Sequence, residues 1–294
     1  MQKTVLSTAE VARLFNVTET TVKRWADEGT LKCQKTPGGH RKFQMRYLVE
    51  FATTRNFEPL GALTLEGGGV LARKIEVAVL SRNFNELRAA FIEKALSPDR
   101  RDLYEFFSYL YQHHVHQWEI FDLVLGPGMR EIGERWERRE IGVDHEHRAF
   151  YETLDAMAKL QSQVLTKAPA GHTVICACLD DELHEMGLRC ASYIFAAEGW
   201  HVQYLGARTP HDSLIASIRE QRTHLVCISA TTIGDESSYL HALEKIRAAA
   251  HERETRVLLG GRAVTPALTK ACDAVYRSSK DLMDVIQHYP QSVE

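Results

Sequence analysis

The stretch that decides the fold is LDDELHEMGLRC, residues 179–190. It follows an apolar run, HTVICACL at 172–179, and leads into residues with helical spacing. His184 therefore stands where a strand ends and a helix begins. Glu182 lies two residues before it and Gly187 three after. A carboxylate at that spacing can hold one imidazole nitrogen, which fixes the tautomer and makes the other nitrogen a better metal ligand. A glycine leaves room for something bulky close to the backbone.

Further strand-like runs follow at HVQYLG (201–206), HLVCISA (224–230), RVLLGG (256–261) and AVYRS (274–278). Near-continuous apolar strands alternating with amphipathic helices predict a parallel, doubly wound, Rossmann-like (flavodoxin-like) α/β domain over 171–294. Ligands of such sheets bind beyond the carboxyl ends of the strands. That edge gathers His184, Ser229, Thr231, Gly260 and Gly261. The six cysteines, Cys33, Cys176, Cys178, Cys190, Cys227 and Cys272, contain no C-x-x-C pair and read as buried reduced thiols.

Upstream, helical spacing predicts stretches at 71–82, 84–96, 99–116, 117–134 and 144–167. Short breaks at NFN, SPD, GPG and EIGV predict a four-helix bundle over 71–170. Two features stand out. In YQHHVHQW (111–118), His113 and His116 lie about one helical turn apart, a spacing metals can use, although no Cys or acid spacing supports it. In RWERREIGVDHEHRAFYETL (135–154), Trp136 is followed, after nine intervening residues, by Glu146-His147, so an aromatic and a Glu-His pair can face one cavity; a buried Trp beside a solvated helix start is the alternative.

The net charge of −3 hides an asymmetry. Residues 1–55 carry +5 and the remainder −8, which suggests a basic head that meets a polyanion. In that head, Ser7-x-x-Glu10 is a capping box. A second helix is capped by Thr18 and stopped at Gly29. It offers Glu19, Thr20, Lys23 and Arg24 on its outer face, with Thr21 beside them, while Val22 and Trp25 pack inward. Pro37-Gly38-Gly39 then turns a hairpin wing bearing His40, Arg41 and Lys42. Residues 56–70, with Pro59, Gly61 and three consecutive glycines, read as a linker. No apolar run reaches membrane-helix length, and the first residues lack a signal-peptide core. The expectation is a cytoplasmic protein.

STAEVARLFNVTETTVKRWADEGTL (7–31) followed by TPGGHRKF (36–43) resembles the winged helix-turn-helix domain of the MerR family. The resemblance implies that Thr20, Thr21, Lys23 and Arg24 meet the major groove of operator DNA while His40, Arg41 and Lys42 grip its backbone. ELHEMG (182–187), then SAT (229–231), then GG (260–261) looks like the cobalamin-binding domain shared by methionine synthase and its relatives. It implies that His184 is the lower axial ligand of cobalt and that Ser229, Thr231, Gly260 and Gly261 line a slot for the displaced nucleotide tail. Most members carry Asp before the histidine; Glu182 and the Trp136…Glu146-His147 spacing are similar to the CarH/LitR-like photoreceptor repressors, so the resemblance runs the length of the chain. That family implies adenosylcobalamin as cofactor, with Trp136 packed on the adenosyl group and Glu146 and His147 in the same upper pocket. It implies a homo-oligomer, tetrameric in the dark, that releases DNA when light breaks the cobalt–carbon bond, and no enzymatic activity. One position departs: the family's histidine after the Trp, a cobalt ligand in the light state, is Glu137 here. That leaves His145, His147 or water for the role, and implies a light state less locked than the family's. A corrinoid methyl carrier, a light-independent cobalamin sensor and a zinc sensor are the competing readings.

Overall fold

The computed structural model describes residues 5–15, 17–36, 38–44, 47–48, 51, 70–99 and 101–289. Pro37 of the wing turn and residues 56–69 of the expected linker lie outside them. The chain forms two compact units, one of Met1–His116 with Leu123–Leu160, the other of Gln117–Asp122 with Gln161–Glu294.

The first unit begins with β1 (Val5–Ser7), α1 (Thr8–Leu14), α2 (Glu19–Asp27), β2 (Gln34–Lys35) and β3 (Arg41–Gln44). The capping box forms as read: Ser7 N and Oγ each donate to Glu10 Oε2 at 2.7 Å, and Glu10 N donates to Ser7 Oγ. Thr18 caps α2 by accepting from Thr21 N. Past the helix, Gly29 takes φ +71°, a left-handed conformation that costs glycine little. β3 pairs antiparallel with both β1 and β2, making the wing. Val11, Val22, Trp25, Leu31, Phe43 and Phe51 form the head's core, with Phe51 and Trp25 rings 4.8 Å apart.

The bundle follows as α3 (Val70–Ser81), α4 (Phe84–Leu96), α5 (Arg101–Gln112), α6 (Gly126–Glu137) and α7 (Val143–Gln161). Phe91, Phe106 and Phe107 stack at its centre. A Cβ on Gly128 would meet the Phe91 ring at 2.4 Å, so only glycine lets α6 approach there. α3 has two loyalties: its Val77 joins the core of the head, while Ile75 and Ala78 are buried as well.

Three helices differ from the sequence expectation. The stretch read as 99–116 ends at Gln112, so His113 and His116 lie past the helix rather than a turn apart on it. The stretch 117–134 is not one α-helix, because Ile120–Leu125 form a π-helical turn. This wider turn carries Asp122, whose two carboxylate oxygens accept from Ser279 N and Lys280 N at 2.8 and 3.1 Å. The last helix stops at Gln161 rather than 167. Beyond it the backbone bonds elsewhere, Lys167 N to Ala197 O and Ala170 N to Gly199 O.

The second unit alternates β4 (Thr173–Leu179), α8 (Met186–Ala197), β5 (His201–Thr209), α9 (His211–Glu220), β6 (Leu225–Ser229), α10 (Glu236–His251), β7 (Arg256–Gly260), α11 (Pro266–Lys270), β8 (Ala274–Tyr276) and α12 (Ser279–Gln287). All five strands are parallel, in the order β5-β4-β6-β7-β8. The strand order reverses between β4 and β6, so the topological switch point lies at their carboxyl ends. Cys176, Cys178, Cys190, Cys227 and Cys272 are buried free thiols.

Candidate functional site

His184 sits on the loop after β4, at the switch point. Its Nδ1 lies 2.8 Å from Glu182 Oε1, which also accepts from His184 N at 2.7 Å. Glu182 Oε2 accepts from Thr231 N and Thr232 N, both at 2.6 Å, from the loop after β6. Thr232 Oγ1 donates to Glu182 Oε1 at 3.2 Å. The Glu182 side chain is almost wholly buried, yet more than half of the His184 ring is exposed. Burial by itself pushes the Glu182 carboxyl up, but the hydrogen bonds from Thr232 N, His184 and Thr231 N outweigh it and leave the group below the ordinary carboxylate range. An ionised Glu182 accepting from Nδ1–H leaves Nε2 with a lone pair. Among the described residues no hydrogen bond takes that nitrogen. The loop therefore presents one imidazole held in orientation through Nδ1.

The other switch-point residues are small for visible reasons. A Cβ on Gly187 would lie 3.5 Å from the Ser229 hydroxyl, so Gly187 and the buried Ser229 face each other across a narrow gap. Gly261 has φ +108°, and a Cβ there would meet Ala230 O at 2.1 Å. At Gly260 a Cβ would meet the Tyr276 ring at 2.2 Å. Tyr276 is thus the wall over the paired glycines, with its hydroxyl 3.5 Å from Cys227 Sγ.

In the first unit, Trp136, Arg139, Glu140, Ile141, Gly142, Val143 and His145 line a cavity of about 550 Å³. Trp136 is 45% exposed, a large apolar face left open. Glu146 and His147 are not among the lining residues; they face each other, His147 Nε2 3.6 Å from Glu146 Oε2. In the head, Thr20, Lys23 and Arg24 are exposed along α2, and Lys23 lies 3.9 Å from Glu19. Thr21 is half-buried, its hydroxyl 3.0 Å from that of Thr18. His40 is exposed at the wing turn and Lys42 half-buried on β3. Arg41 turns inward, its Nη2 2.6 Å from Asp27 Oδ1 on α2. His113 stacks on Tyr109, and among the described residues no three His, Cys, Asp or Glu side chains could hold a metal between them.

Sequence reasoning missed Thr232 and Tyr276. Thr232 differs from Thr231 by nothing visible in the local pattern. Tyr276 reaches Gly260 only through the register of β7 with β8. No helix among the described residues is long and apolar enough to cross a membrane.

Known proteins match this arrangement in three places. A helix-turn-helix domain matches residues 5–56, and B12 binding domains match residues 87–159 and 172–285. The chain is 33% identical over 148 residues to the HTH-type transcriptional repressor CarH of Myxococcus xanthus, covering 49% of this chain and 48% of that one. It is 29% identical over 123 residues to the HTH-type transcriptional repressor CarA of the same organism, covering 42% and 41%. The chain thus spans about half the length, or less, of these curated relatives. The Methanosarcina barkeri monomethylamine corrinoid protein shares the fold, with a TM-score of 0.54 over 69% of this chain and 96% of that one at 14% identity. A helix-turn-helix domain, a helical region and a parallel-sheet B12 binding domain, in that order, make a CarH-like architecture.

Proposed function

We propose that this chain is a light-responsive transcriptional repressor, one that binds operator DNA as an adenosylcobalamin-loaded oligomer in the dark and releases it on illumination. The observation that carries the reading is the Glu182–His184 pair at the switch point of a chain that opens with a helix-turn-helix. An imidazole fixed through one nitrogen, with the other left over, suits a cobalt ligand. Bound adenosylcobalamin supplies a cobalt–carbon bond that visible light breaks.

The chain's own residues would divide the work as follows. His184 would hold the lower axial position through Nε2, with Glu182 fixing its tautomer. Ser229, Thr231, Gly187, Gly260 and Gly261 would line the approach for the nucleotide tail, and Tyr276 would wall it. Trp136 would cover the adenosyl group, with Glu146 and His147 in its neighbourhood. A single head offers α2 and one wing, too little surface for tight operator binding, so an oligomer that presents several heads gains affinity by effective concentration. The ligand then controls DNA binding by favouring one assembly state over another.

Size-exclusion chromatography with in-line absorbance tests this directly. The protein is run with adenosylcobalamin in darkness and again after green light. The expected result is a large dark species carrying the corrin spectrum that falls to a smaller one on illumination. Bound corrin with no change of size in the light would replace the light-controlled assembly with a cobalamin sensor.

A further inference from the structure

Glu185, the residue after His184, stands at the N-cap of α8, yet its carboxylate makes no cap bond there. A side-chain oxygen at that position ordinarily accepts from the first backbone N–H groups of its own helix. This one turns to β5 instead. Tyr204 Oη donates to Glu185 Oε2 at 2.6 Å. The Arg189 guanidinium, one turn along α8, comes within 3.6 Å of the same oxygen and lies 3.5 Å from the centre of the Tyr204 ring. Arg189 N also donates to Glu185 O, which keeps the two α8 groups in step. Phenol, carboxylate and guanidinium are all half-buried, so they form a polar network between α8 and β5.

The strand is shaped to receive it. Cys176 pairs with Tyr204 and Ala177 with Gly206, so β5 carries one extra residue here, a β-bulge of the kind that re-aims a side chain. Gly206 has φ +84°, and a Cβ on it would stand 3.2 Å from Tyr204 Cε1 and 3.5 Å from Glu185 Oε2. The backbones interlock as well. Asp180 N donates to Thr209 O, and Arg208 N donates to Glu182 O. Asp180 and Arg208 take φ of +48° and +55° in doing so, angles that residues other than glycine keep only where their surroundings impose them.

His184 thus hangs between two carboxylates that reach opposite neighbours of β4. Glu182 ties the loop to the β6 side and bonds the ring itself. Glu185 ties it to the β5 side and bonds only the chain that carries the ring. Resting on the functional reading above, we propose that Tyr204 and Glu185, steadied by Arg189, are positioning residues that set how firmly His184 Nε2 holds cobalt. A metal bond fixes the place of the ring, and a loop already fixed there loses less freedom when the bond forms. The Glu182 bond selects which nitrogen is offered; the brace limits how far the loop can carry that nitrogen away.

The test loads the full chain with hydroxocobalamin and measures, by timed gel filtration after dilution, how fast corrin absorbance leaves the protein. The variants are Tyr204→Phe, Glu185→Gln and Glu185→Ala, each made also together with His184→Ala. Tyr204→Phe and Glu185→Ala should lose corrinoid about tenfold faster than wild type. Glu185→Gln, whose amide oxygen still accepts from the phenol, should fall between. Tyr204→Phe combined with Glu185→Ala should be no faster than Glu185→Ala alone, because the two groups act as one. Melting curves taken before loading separate a loss of fold from a loss of grip. Together with His184→Ala the same changes should have no further effect. If His184→Ala retains no corrinoid at all, retention belongs wholly to the ring, and the faster loss in Tyr204→Phe acts through it. The proposal is overturned if Tyr204→Phe and Glu185→Ala both hold corrinoid as long as wild type, or if Tyr204→Phe speeds the loss equally when His184 is absent. In either case corrinoid still binds and the functional reading stands. A wild-type chain that takes up no corrinoid sinks both.

Discussion

Glu182 holds His184 at two points at once, Nδ1 at 2.8 Å and the backbone N–H at 2.7 Å, through a single carboxylate oxygen. The other oxygen is anchored by Thr231 N and Thr232 N. The carboxylate therefore ties the loop after β4 to the loop after β6, as well as orienting the ring. Glu182→Gln replaces an ionised acceptor with an amide whose NH₂ must face donors. Breaking such a buried, charge-assisted set should cost about 2–4 kcal/mol of stability. Corrinoid affinity should fall about 10- to 100-fold. Denaturant melts and a hydroxocobalamin titration measure the two effects separately. A variant with wild-type affinity would mean that the carboxylate serves the loops alone.

The same carboxylate sets an acid limit. Its folded pKa is depressed, so its contribution is fully present above the unfolded carboxylate value of about 4.3 and is lost as pH falls through the folded value. Asp273 behaves likewise: burial pushes it up, but bonds from Val257 N, His251 and Arg247 leave it lowered. His172 and His224 add to the loss earlier. Burial lowers both, with the charges of His172 and Arg222 adding at His224, so keeping them neutral costs stability as pH falls below about 6.5. The expected profile for the α/β unit is a gentle decline below pH 6.5 and a steep one below pH 4, read from urea midpoints across pH. His172→Phe, which keeps a ring beside Trp200, should flatten the gentle part.

How much of this was legible in the sequence depended on how local the information was. The Glu182–His184–Gly187 arrangement is written in six consecutive residues, and parallel topology alone brings Ser229 to the same edge. The capping box and Gly29 are equally local. Tyr276 is different: it stands over Gly260 because those two residues pair in register across β7 and β8, and nothing in either segment specifies that register. The π-helical turn at Ile120–Leu125 keeps apolar residues at spacings that an α-helix also satisfies. Arg41 shows the limit for charges. Its composition context marks it as basic and solvent-facing, but which acid it meets depends on how the wing folds against α2.

Gly260 and Tyr276 give a prediction about packing. Gly260→Ala puts a methyl group into the Tyr276 ring, at 2.2 Å from Cζ, with sheet hydrogen bonds on both sides of the glycine. Strain of this kind costs about 1–3 kcal/mol. The double variant with Tyr276→Leu, which removes the obstructing ring, should recover part of it. A thermal melt of the two variants and the single Tyr276→Leu closes the cycle, and strict additivity would show that the two sites do not touch energetically.

Glu76 lies on α3, the helix whose next residue, Val77, enters the core of the head. Burial pushes its carboxyl up to about 7, opposed by Arg73. A raised acid reverses the sign seen at Glu182. The folded state is favoured below the unfolded value of about 4.3, and stability drains away as pH rises through the folded pKa. Glu76→Gln removes this drain, so it should stabilise the first unit by about 1–2 kcal/mol at pH 8 while changing little at pH 4.5. Melting the variant and the wild type at the two pH values decides it. An equal gain at both would point to packing rather than ionisation.

The Arg41–Asp27 pair bears on DNA. Each cation that neutralises a phosphate adds about 0.9 to the slope of log affinity against log salt. Arg41 is already held 2.6 Å from Asp27 and is only 18% exposed, so it should add little to that slope, whereas Lys42 on the same strand should add a full phosphate contact. Measured by anisotropy on a random-sequence duplex, Lys42→Ala should flatten the slope by about one unit and Arg41→Ala should leave it near wild type. Asp27→Asn frees the guanidinium and should steepen the slope while tightening binding at low salt. A one-unit loss in Arg41→Ala would instead show that DNA pulls the arginine away from Asp27, making the pair a contact the head gives up on binding.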